Sequence, residues 1–230
     1  HRAVFEGAQA ACRSRGAWSP FPDQPAGYPD HEAALARGRA AHAAWLGSDF
    51  PCDHVAGPQV PGEEVSPYTQ QPLGIRYRVA SLDAQFDAAQ RGISAWAAAG
   101  IEARAGVLLE ALDRIYRERL FELVHAVMHT TGQSYNMSYA GSGVNALDRG
   151  IEALVYAVEA MRAVTPTANW QRRFGAAEIR LEKHYRLVPR GVAVCFTCAS
   201  FPTWNAYPSM VASLATGNAV LVKPHPATIL

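Results

Sequence analysis

The stretch Gly191-Val-Ala-Val-Cys-Phe-Thr-Cys198 and the later run Ala219-Val-Leu-Val-Lys223 decide the fold of this 230-residue chain. Both runs are continuously apolar, which is typical of parallel strands that are buried on both faces of a sheet. The residues between them predict a helix over 207–216, which Gly217-Asn218 ends with a left-handed turn. This connection is long enough for the right-handed crossover that joins two parallel strands. The sequence therefore predicts a β-α-β unit.

The residues upstream of this unit predict helices and linkers. Ala-rich amphipathic patterns over 1–19 and 30–47 indicate two helices, and a Pro/Gly-rich linker over 51–74 follows them. Alternation at the end of that linker predicts a short strand. Helical periodicity then predicts three further helices, at about 81–96, 102–129 and 144–164. Apolar and polar residues alternate over 179–188, which predicts one or two strands.

These elements predict an α/β protein in two parts. We assign 1–65 to an N-terminal helical extension and linker, and 66–230 to a helical layer that leads into the β-α-β unit. The chain begins with His1 rather than methionine, and the run before Leu230 resembles the opening of a helix. We therefore expect a truncated domain, with both ends cut from a longer protein.

Composition excludes several classes of protein. The net charge is +1 and charged residues make up 18% of the chain, so we expect neither nucleic acid nor a membrane surface as a partner. No run reaches the roughly 18 apolar residues that cross a bilayer, and no basic-then-apolar leader is present. The four cysteines are too few for a dense disulfide scaffold. We expect a cytoplasmic protein.

Two segments, 198–205 and 223–226, follow the predicted strands at the edge where open parallel sheets bind ligands. A lysine that leaves a buried strand either extends its ammonium into solvent or meets an anionic ligand. The position of Lys223 at a strand end is compatible with both interpretations.

Four segments together resemble the aldehyde dehydrogenase superfamily: Pro189-Arg-Gly-Val-Ala-Val194, Phe201-Pro202, Leu214-Ala-Thr-Gly-Asn218 and Val222-Lys-Pro224. The resemblance covers about 70–230. It implies that the β-α-β unit opens a Rossmann-like, NAD(P)-binding parallel sheet, and that the helices over 81–164 form the layer in front of it. The family's nucleophilic cysteine and general base follow the Lys-Pro motif at a distance, so the resemblance places both beyond Leu230.

A finer resemblance is to the PaaN-type subgroup, which is associated with phenylacetate degradation. It rests on the long extension and on Ser66-Pro-Tyr-Thr69, Phe201-Pro-Thr-Trp-Asn205 and Lys223-Pro-His-Pro226. It implies NAD(P)-dependent oxidation of a small-molecule aldehyde, the ring-opened CoA-linked semialdehyde, to its acid. The complete protein is then expected to be a homo-oligomer, and this portion alone to be inactive. Two alternatives stay open: a CoA-acylating aldehyde dehydrogenase, and a non-catalytic binding or assembly module.

The resemblance also implies an oxyanion-hole donor in the loop after the first strand, where the family has Trp-Asn. Alignment without gaps over 191–218 puts Ala199-Ser200 at that place and Trp204-Asn205 five residues later. Ser200 is one candidate donor, with a backbone N–H doing part of the work. Asn205 is the competing candidate if the loop is rearranged, although it could instead cap the following helix.

The resemblance implies a cofactor that lies against both strand ends. Lys223 matches the family lysine that holds the adenosine ribose, whereas Pro226 stands where the family's ribose-binding glutamate is expected. Without that carboxylate a 2′-phosphate is not repelled, and His225 adds a donor, so NADP is favoured over NAD. The other members of the predicted cofactor-binding set are Phe196, Thr197 and Cys198.

Three further patterns are interpreted without a functional role, and no metal site is expected. Cys195-Phe-Thr-Cys198 has redox or zinc spacing, but two thiols so spaced in a strand point to opposite faces. His125 and His129 share a helix face but lack the glutamate of a zinc protease, so we interpret them as surface or helix-end residues. Gly141-Ser-Gly-Val-Asn-Ala146 resembles a phosphate-binding loop but follows a helix rather than a strand.

Overall fold

The computed structural model describes residues 1–52 and 56–230, which form a helical body with three two-stranded sheets. The α-helices are α1 (Arg2–Ser14), α2 (His31–Trp45), α3 (Leu82–Ala98), α4 (Gly100–Arg114), α5 (Leu120–Thr131), α6 (Tyr135–Met137), α7 (Asn145–Arg162) and α8 (Pro202–Ala215). The strands are β1 (Gln59–Pro61), β2 (Arg76–Arg78), β3 (Thr167–Phe174), β4 (Ala177–His184), β5 (Val192–Phe196) and β6 (Ala219–Lys223). Two π-helical segments, Ile115–Arg119 and Ser138–Val144, join α4 to α5 and α6 to α7. Residues 53–55 of the predicted linker lie outside the described residues.

Helix α7 forms the centre of the core. Its buried face repeats at helical spacing through Leu147, Ile151, Leu154 and Val158, each of which is at most 2% exposed. Helices α1, α4 and α8 pack around this helix. Burial of one such side chain contributes about 1.5–3 kcal/mol, so this apolar core is the main source of stability.

The N-terminal extension packs into the same core. Ala8, Phe21 and Ala34 belong to one continuous cluster of buried apolar residues with those of α7. The ring of Phe21 stacks on that of Tyr116, with 4.3 Å between their centroids. Helix α2 also lies along α5. The division of the chain at residue 65 therefore stays a prediction about sequence segments, since the packing joins residues from both sides of it.

The predicted β-α-β unit is confirmed. Strands β5 and β6 are parallel and pair along their whole lengths, and α8 connects them. Gly217, with a φ of 90°, follows the helix in the left-handed conformation that the sequence predicts. Asn218 then fixes the turn, because its Oδ1 accepts the N–H groups of Arg190 and Gly191 at 2.7 and 3.1 Å. The start of β6 is thereby fastened to the start of β5.

Three predictions for this region are wrong in detail. Helix α8 begins at Pro202 rather than at 207, since proline is well suited to a first helical position. The alternating segment is a hairpin whose first strand, β3, begins at Thr167, because its largely polar residues give no period-two signal. The strands are not buried on both faces: Cys195 is their one buried residue, and Phe196 is 69% exposed. A sheet of two strands is covered incompletely by α3 and α8.

The predicted helix boundaries upstream agree better with the structure. Ser81 caps α3, since its Oγ accepts the N–H of Ala84 at 3.2 Å. Gly132, with a φ of 80°, ends α5. Over the described part of the chain, no helix combines the length and the apolar character that a membrane span requires.

Candidate functional site

The carboxyl ends of β5 and β6 lie side by side, and they bring together the two segments that the sequence predicts as ligand-binding. The N–H of Thr197 donates to the carbonyl oxygen of Lys223 at 3.1 Å, which extends the strand pairing by one residue. A cavity of about 280 Å³ opens here. Thr197, Pro202, Thr203 and Pro224 are among its lining residues, so the first turn of α8 also faces it.

Lys223 and His225 provide donors at this edge. The Lys223 side chain is exposed and makes no hydrogen bond or ion pair with the described residues. His225 Nδ1 accepts the N–H of Ala227 at 3.2 Å, at the start of the short 3-10 turn Pro226–Thr228. Because Nδ1 accepts, the proton of the neutral ring lies on Nε2. An ammonium and an imidazole N–H are therefore available at a place where Pro226 contributes no carboxylate.

Thr197 has a buried hydroxyl without a partner. Its Oγ1 is inaccessible to solvent, yet no described residue offers it a hydrogen bond. Leaving such a group unsatisfied costs about 1–3 kcal/mol. A ligand with hydroxyl or phosphate oxygens that enters the adjoining cavity removes that cost, so the residues present fit a nicotinamide dinucleotide.

Cys198 fastens the loop that follows β5. Its Sγ accepts the N–H of Phe201 at 3.4 Å and lies 3.6 Å from the Oγ of Ser200. Burial favours the neutral thiol, but the hydrogen bonds from Phe201 and Ser200 outweigh it and hold the pKa of Cys198 below its ordinary value. Contacts of Cys198 and of the exposed Phe196 with a cofactor stay predictions.

The two candidate oxyanion donors occupy different places. Ser200 is exposed in the loop, and its carbonyl oxygen accepts the side-chain amide of Gln133. Asn205 lies within the first turn of α8, where its N–H donates to the Phe201 carbonyl oxygen at 3.0 Å. The idea that Asn205 caps the helix is wrong, because the N-cap residue is Phe201. The Asn205 side chain is exposed and makes no hydrogen bond within the described residues.

We expect Ser200→Ala in the complete protein to lower kcat about 10²-fold, as loss of one oxyanion-hole donor does. Asn205→Ala is the matched control and is expected to retain nearly full turnover. Steady-state kinetics with circular dichroism of both variants checks this. A loss in Asn205→Ala alone transfers the role to Asn205, and full activity in both variants rejects a side-chain donor altogether.

Gln133 is a residue that sequence reasoning missed. Its side chain connects the Ser200 carbonyl to Ser142, whose hydroxyl donates to Gln133 Oε1 at 3.1 Å. The loop after β5 is thereby fastened to the π-helical segment Ser138–Val144. That segment contains Gly141, and a Cβ added to this glycine would lie 3.0 Å from the Phe201 ring. The glycines that resemble a phosphate loop therefore lie in a helix, and Gly141 allows close packing against Phe201.

The histidines of α5 form a cluster with His42 of α2. The rings of His42 and His129 stack with 4.8 Å between centroids, and His125 lies 6.2 Å from His42. The interpretation of His125 as a surface residue is wrong, because it is 5% exposed. Nε2 of His42 and of His125 are buried without partners in the described structure, whereas Nδ1 of His129 is hydrogen-bonded to Ser66 at 2.8 Å.

One group of potential metal ligands exists in the described residues, at His1, Glu110 and Asp113. Both carboxylates already form ion pairs, Glu110 with Arg114 at 2.6 Å and Asp113 with Arg117 at 2.8 Å. These ion pairs account for the cluster without a cation. In Cys195-Phe-Thr-Cys198 the first cysteine is buried and the second half-buried, and both thiols are free.

Comparison with known proteins agrees with this geometry. A family model described as the aldehyde dehydrogenase family matches residues 56–230. A solved NAD-dependent aldehyde dehydrogenase from Burkholderia multivorans is 42% identical to this chain, with a TM-score of 0.93. The alignment covers 100% of this chain and 41% of that one. The chain thus spans less than half the length of this relative.

More distant structures share the fold. A 1-pyrroline-5-carboxylate dehydrogenase from Thermus with bound NAD is 19% identical with a TM-score of 0.63, over 92% of this chain and 40% of that one. The Δ-pyrroline-5-carboxylate dehydrogenase of Mycobacterium tuberculosis is 20% identical with a TM-score of 0.64, over 84% and 36%. At such identities the likeness concerns the fold alone, and it confirms the predicted α/β class.

Proposed function

Because the chain belongs to the aldehyde dehydrogenase family, we propose that the complete protein oxidises an aldehyde to its acid with a nicotinamide cofactor. The chain covers 41% of the Burkholderia multivorans relative, so the activity is proposed for the complete protein. Residues 1–230 alone are expected to be inactive, since the family's nucleophilic cysteine and general base are expected outside them.

The observation that carries this proposal is the edge formed by the ends of β5 and β6. There the buried hydroxyl of Thr197 lacks a partner, and the ammonium of Lys223 is free of ion pairs with described residues. The first turn of α8 faces the same cavity, and its N–H groups at Thr203 and Trp204 precede the first intrahelical bond. All of these groups are donors, and they would hold oxygen atoms of a bound dinucleotide.

The residues of this chain bind and orient, and they do not carry out the redox step. A bound nicotinamide cofactor supplies the hydride acceptor. Lys223 is proposed to hold the adenosine ribose, and the hydroxyl of Thr197 to meet an oxygen of the cofactor. The loop at Ser200 then stabilises the charge that develops on the aldehyde oxygen.

We propose the ring-opened, CoA-linked semialdehyde of phenylacetate degradation as the substrate, on the resemblance of the loop and Lys-Pro-His-Pro segments. The complete protein is to be assayed for cofactor reduction with this semialdehyde and with simple aliphatic and aromatic aldehydes. We expect at least about tenfold higher kcat/KM for the semialdehyde. Equal kcat/KM values for the semialdehyde and the simple aldehydes contradict the proposed substrate. If the cofactor is not reduced with any aldehyde, the result supports a non-catalytic module instead. An acyl-CoA product that forms only with free CoA supports the CoA-acylating alternative.

We further propose that the cofactor site accepts NADP in preference to NAD, although the Burkholderia multivorans relative is described as NAD-dependent. Pro226→Glu restores a carboxylate that repels a 2′-phosphate and binds ribose hydroxyls. We expect this variant to lower kcat/KM for NADP about tenfold and to raise it for NAD. Pro226→Ala is the control, since it removes the proline without adding charge. A preference for NAD in the unmodified protein refutes the proposal.

The hairpin of β3 and β4 supports the proposal of a homo-oligomer. Phe174, Ile179 and Leu181 are 44–48% exposed on it, and exposed apolar strands are typical pairing surfaces. We expect Leu181→Glu to dissociate the oligomer of the complete protein, so that light scattering gives a lower molar mass for the particle in solution. Arg173→Gln, an exposed polar position on the same hairpin, serves as the control. An unchanged mass for Leu181→Glu contradicts a role for the hairpin in assembly.

A further inference from the structure

A second cavity, of about 560 Å³, lies between the N-terminal extension and α7. Its volume is within the range of about 300–1,000 Å³ that is usual for small-molecule sites. Helix α1 and the segment 15–23 form one wall, and α7 forms the other. None of the residues proposed for the cofactor or for catalysis lines it, and one wall precedes residue 56, where the family match begins.

Asp148 contributes a buried carboxylate to this cavity. It is 8% exposed, and its Oδ1 accepts the hydroxyl of Ser19 at 2.9 Å, whereas no described residue hydrogen-bonds to Oδ2. Burial raises the pKa of Asp148 to about 6, helped by Asp23 and Glu152 and opposed by Ser19 and Arg149. At neutral pH the carboxylate is therefore largely ionised. A buried charge without a close counter-ion is costly.

The neighbouring cation does not neutralise Asp148 fully, because Arg149 forms an ion pair with Glu152. The charged residues that line the cavity are three acids and two bases: Asp23, Asp148, Glu152, Arg15 and Arg149. The lining therefore has a net negative charge and favours a cationic ligand.

Part of the wall of the same cavity is aromatic. The indole of Trp18 packs against Gly7, where an added Cβ would lie 2.6 Å from the ring, so the ring is held in place by the α1 backbone. Phe21 and Tyr156 also line the cavity. Aromatic faces attract ammonium groups and bury apolar ones.

We propose that this cavity binds a small organic cation, a protonated amine on an aromatic or apolar body. The ammonium donates to Oδ2 of Asp148, and the apolar body lies against Trp18. The site is separate from the cofactor edge, and binding to it does not depend on dehydrogenase activity.

Isothermal titration of the complete protein with benzylamine, benzyl alcohol and benzoate tests this proposal, because the three probes share a ring and differ in charge. We expect benzylamine to bind at least about tenfold more tightly than either of the others. Its affinity should fall as the pH drops below about 6 and Asp148 takes up a proton. Equal affinity for the three probes, tighter binding of benzoate, or no saturable binding of benzylamine overturns the proposal.

Two variants locate the site. Asp148→Asn keeps the shape and removes the charge, and it should weaken benzylamine binding about tenfold or more and abolish its pH dependence. Trp18→Leu tests the aromatic wall without touching the carboxylate, and it should also weaken binding. Asp113→Asn, which removes an equal charge from a half-buried position on α4 outside the cavity, is the control. Retained affinity in Asp148→Asn places the amine elsewhere and refutes the assignment.

Discussion

Gly38→Ala is expected to lower the free energy of unfolding by about 3 kcal/mol, because no methyl group fits between α2 and α5. A Cβ on Gly38 would lie 2.5 Å from the carbonyl carbon of Phe121 and 2.7 Å from the amide nitrogen of Glu122. Both are backbone atoms, so no change of rotamer relieves the clash and the helices must separate. The higher helix propensity of alanine, about 1 kcal/mol, is too small to compensate.

Urea unfolding followed by circular dichroism measures this effect. The control is Gly92→Ala in α3, which makes the same chemical change at a helical position with no neighbouring atom within 4 Å. That variant should be as stable as the unmodified protein or up to about 1 kcal/mol more stable. If both variants unfold at the same urea concentration, α2 and α5 do not approach as closely as the structure shows.

Acidification is expected to destabilise the same helix pair through His42. Burial, followed by the nearby His129 and His125, lowers the pKa of His42 from 6.5 to about 4, against the attraction of Glu122. Below pH 6.5 His42 is protonated in the unfolded chain but stays neutral in the folded protein. The free energy of unfolding therefore decreases as the pH is lowered from 6.5 to about 4. The free energy of unfolding decreases by about 3 kcal/mol in total over this range, and above pH 6.5 His42 causes no such decrease.

His42→Phe should remove the part of this dependence that is due to His42, since it keeps a ring against His129 and leaves no polar side-chain atom buried at position 42. The expected result is that the variant gains stability relative to the unmodified protein as the pH falls from 6.5 to 4. The quantity to measure is the difference in free energy of unfolding between the two proteins at each pH. Asp148 acts in the opposite sense: its raised pKa adds stability as the pH falls through about 6. Parallel pH profiles for the two proteins would contradict a neutral, buried His42.

The β-α-β unit could be predicted because its signals are local. Two apolar runs define the strands, and Gly217-Asn218 supplies a left-handed turn that few other residues adopt. The cap at Ser81 and the stop at Gly132 are equally local, since each depends on residues within one turn. The resemblance to the aldehyde dehydrogenase superfamily rested on segments in and beside the β-α-β unit.

The hairpin and the start of α8 could not be placed in this way. Strand β3 contains mainly polar residues, and pairing with β4 rather than periodicity makes it a strand. The period-two signal begins only at Ile179, within its partner. Helix α8 begins at Pro202, a residue that also suits a loop, so the sequence leaves its first turn ambiguous.

In the candidate site too, some residues could be predicted from local sequence and others could not. Lys223 follows from its place at the end of an apolar run, whereas the role of Gln133 depends on a contact with Ser200 across 67 residues of sequence. The unpartnered hydroxyl of Thr197 likewise could not be predicted from the sequence, because whether a buried group finds a hydrogen-bond partner depends on the residues packed around it in the folded protein.

The sequence by itself determined the fold class, the β-α-β unit and the edge at which Lys223 emerges, since these depend on periodicity and on turn residues. Only the tertiary structure decided that Asn205 lies inside α8, that His125 is buried against His42, and that a cavity forms around Asp148. The physical reason is that burial, pKa and cavity shape arise where elements distant in the chain pack together. No local pattern encodes that packing.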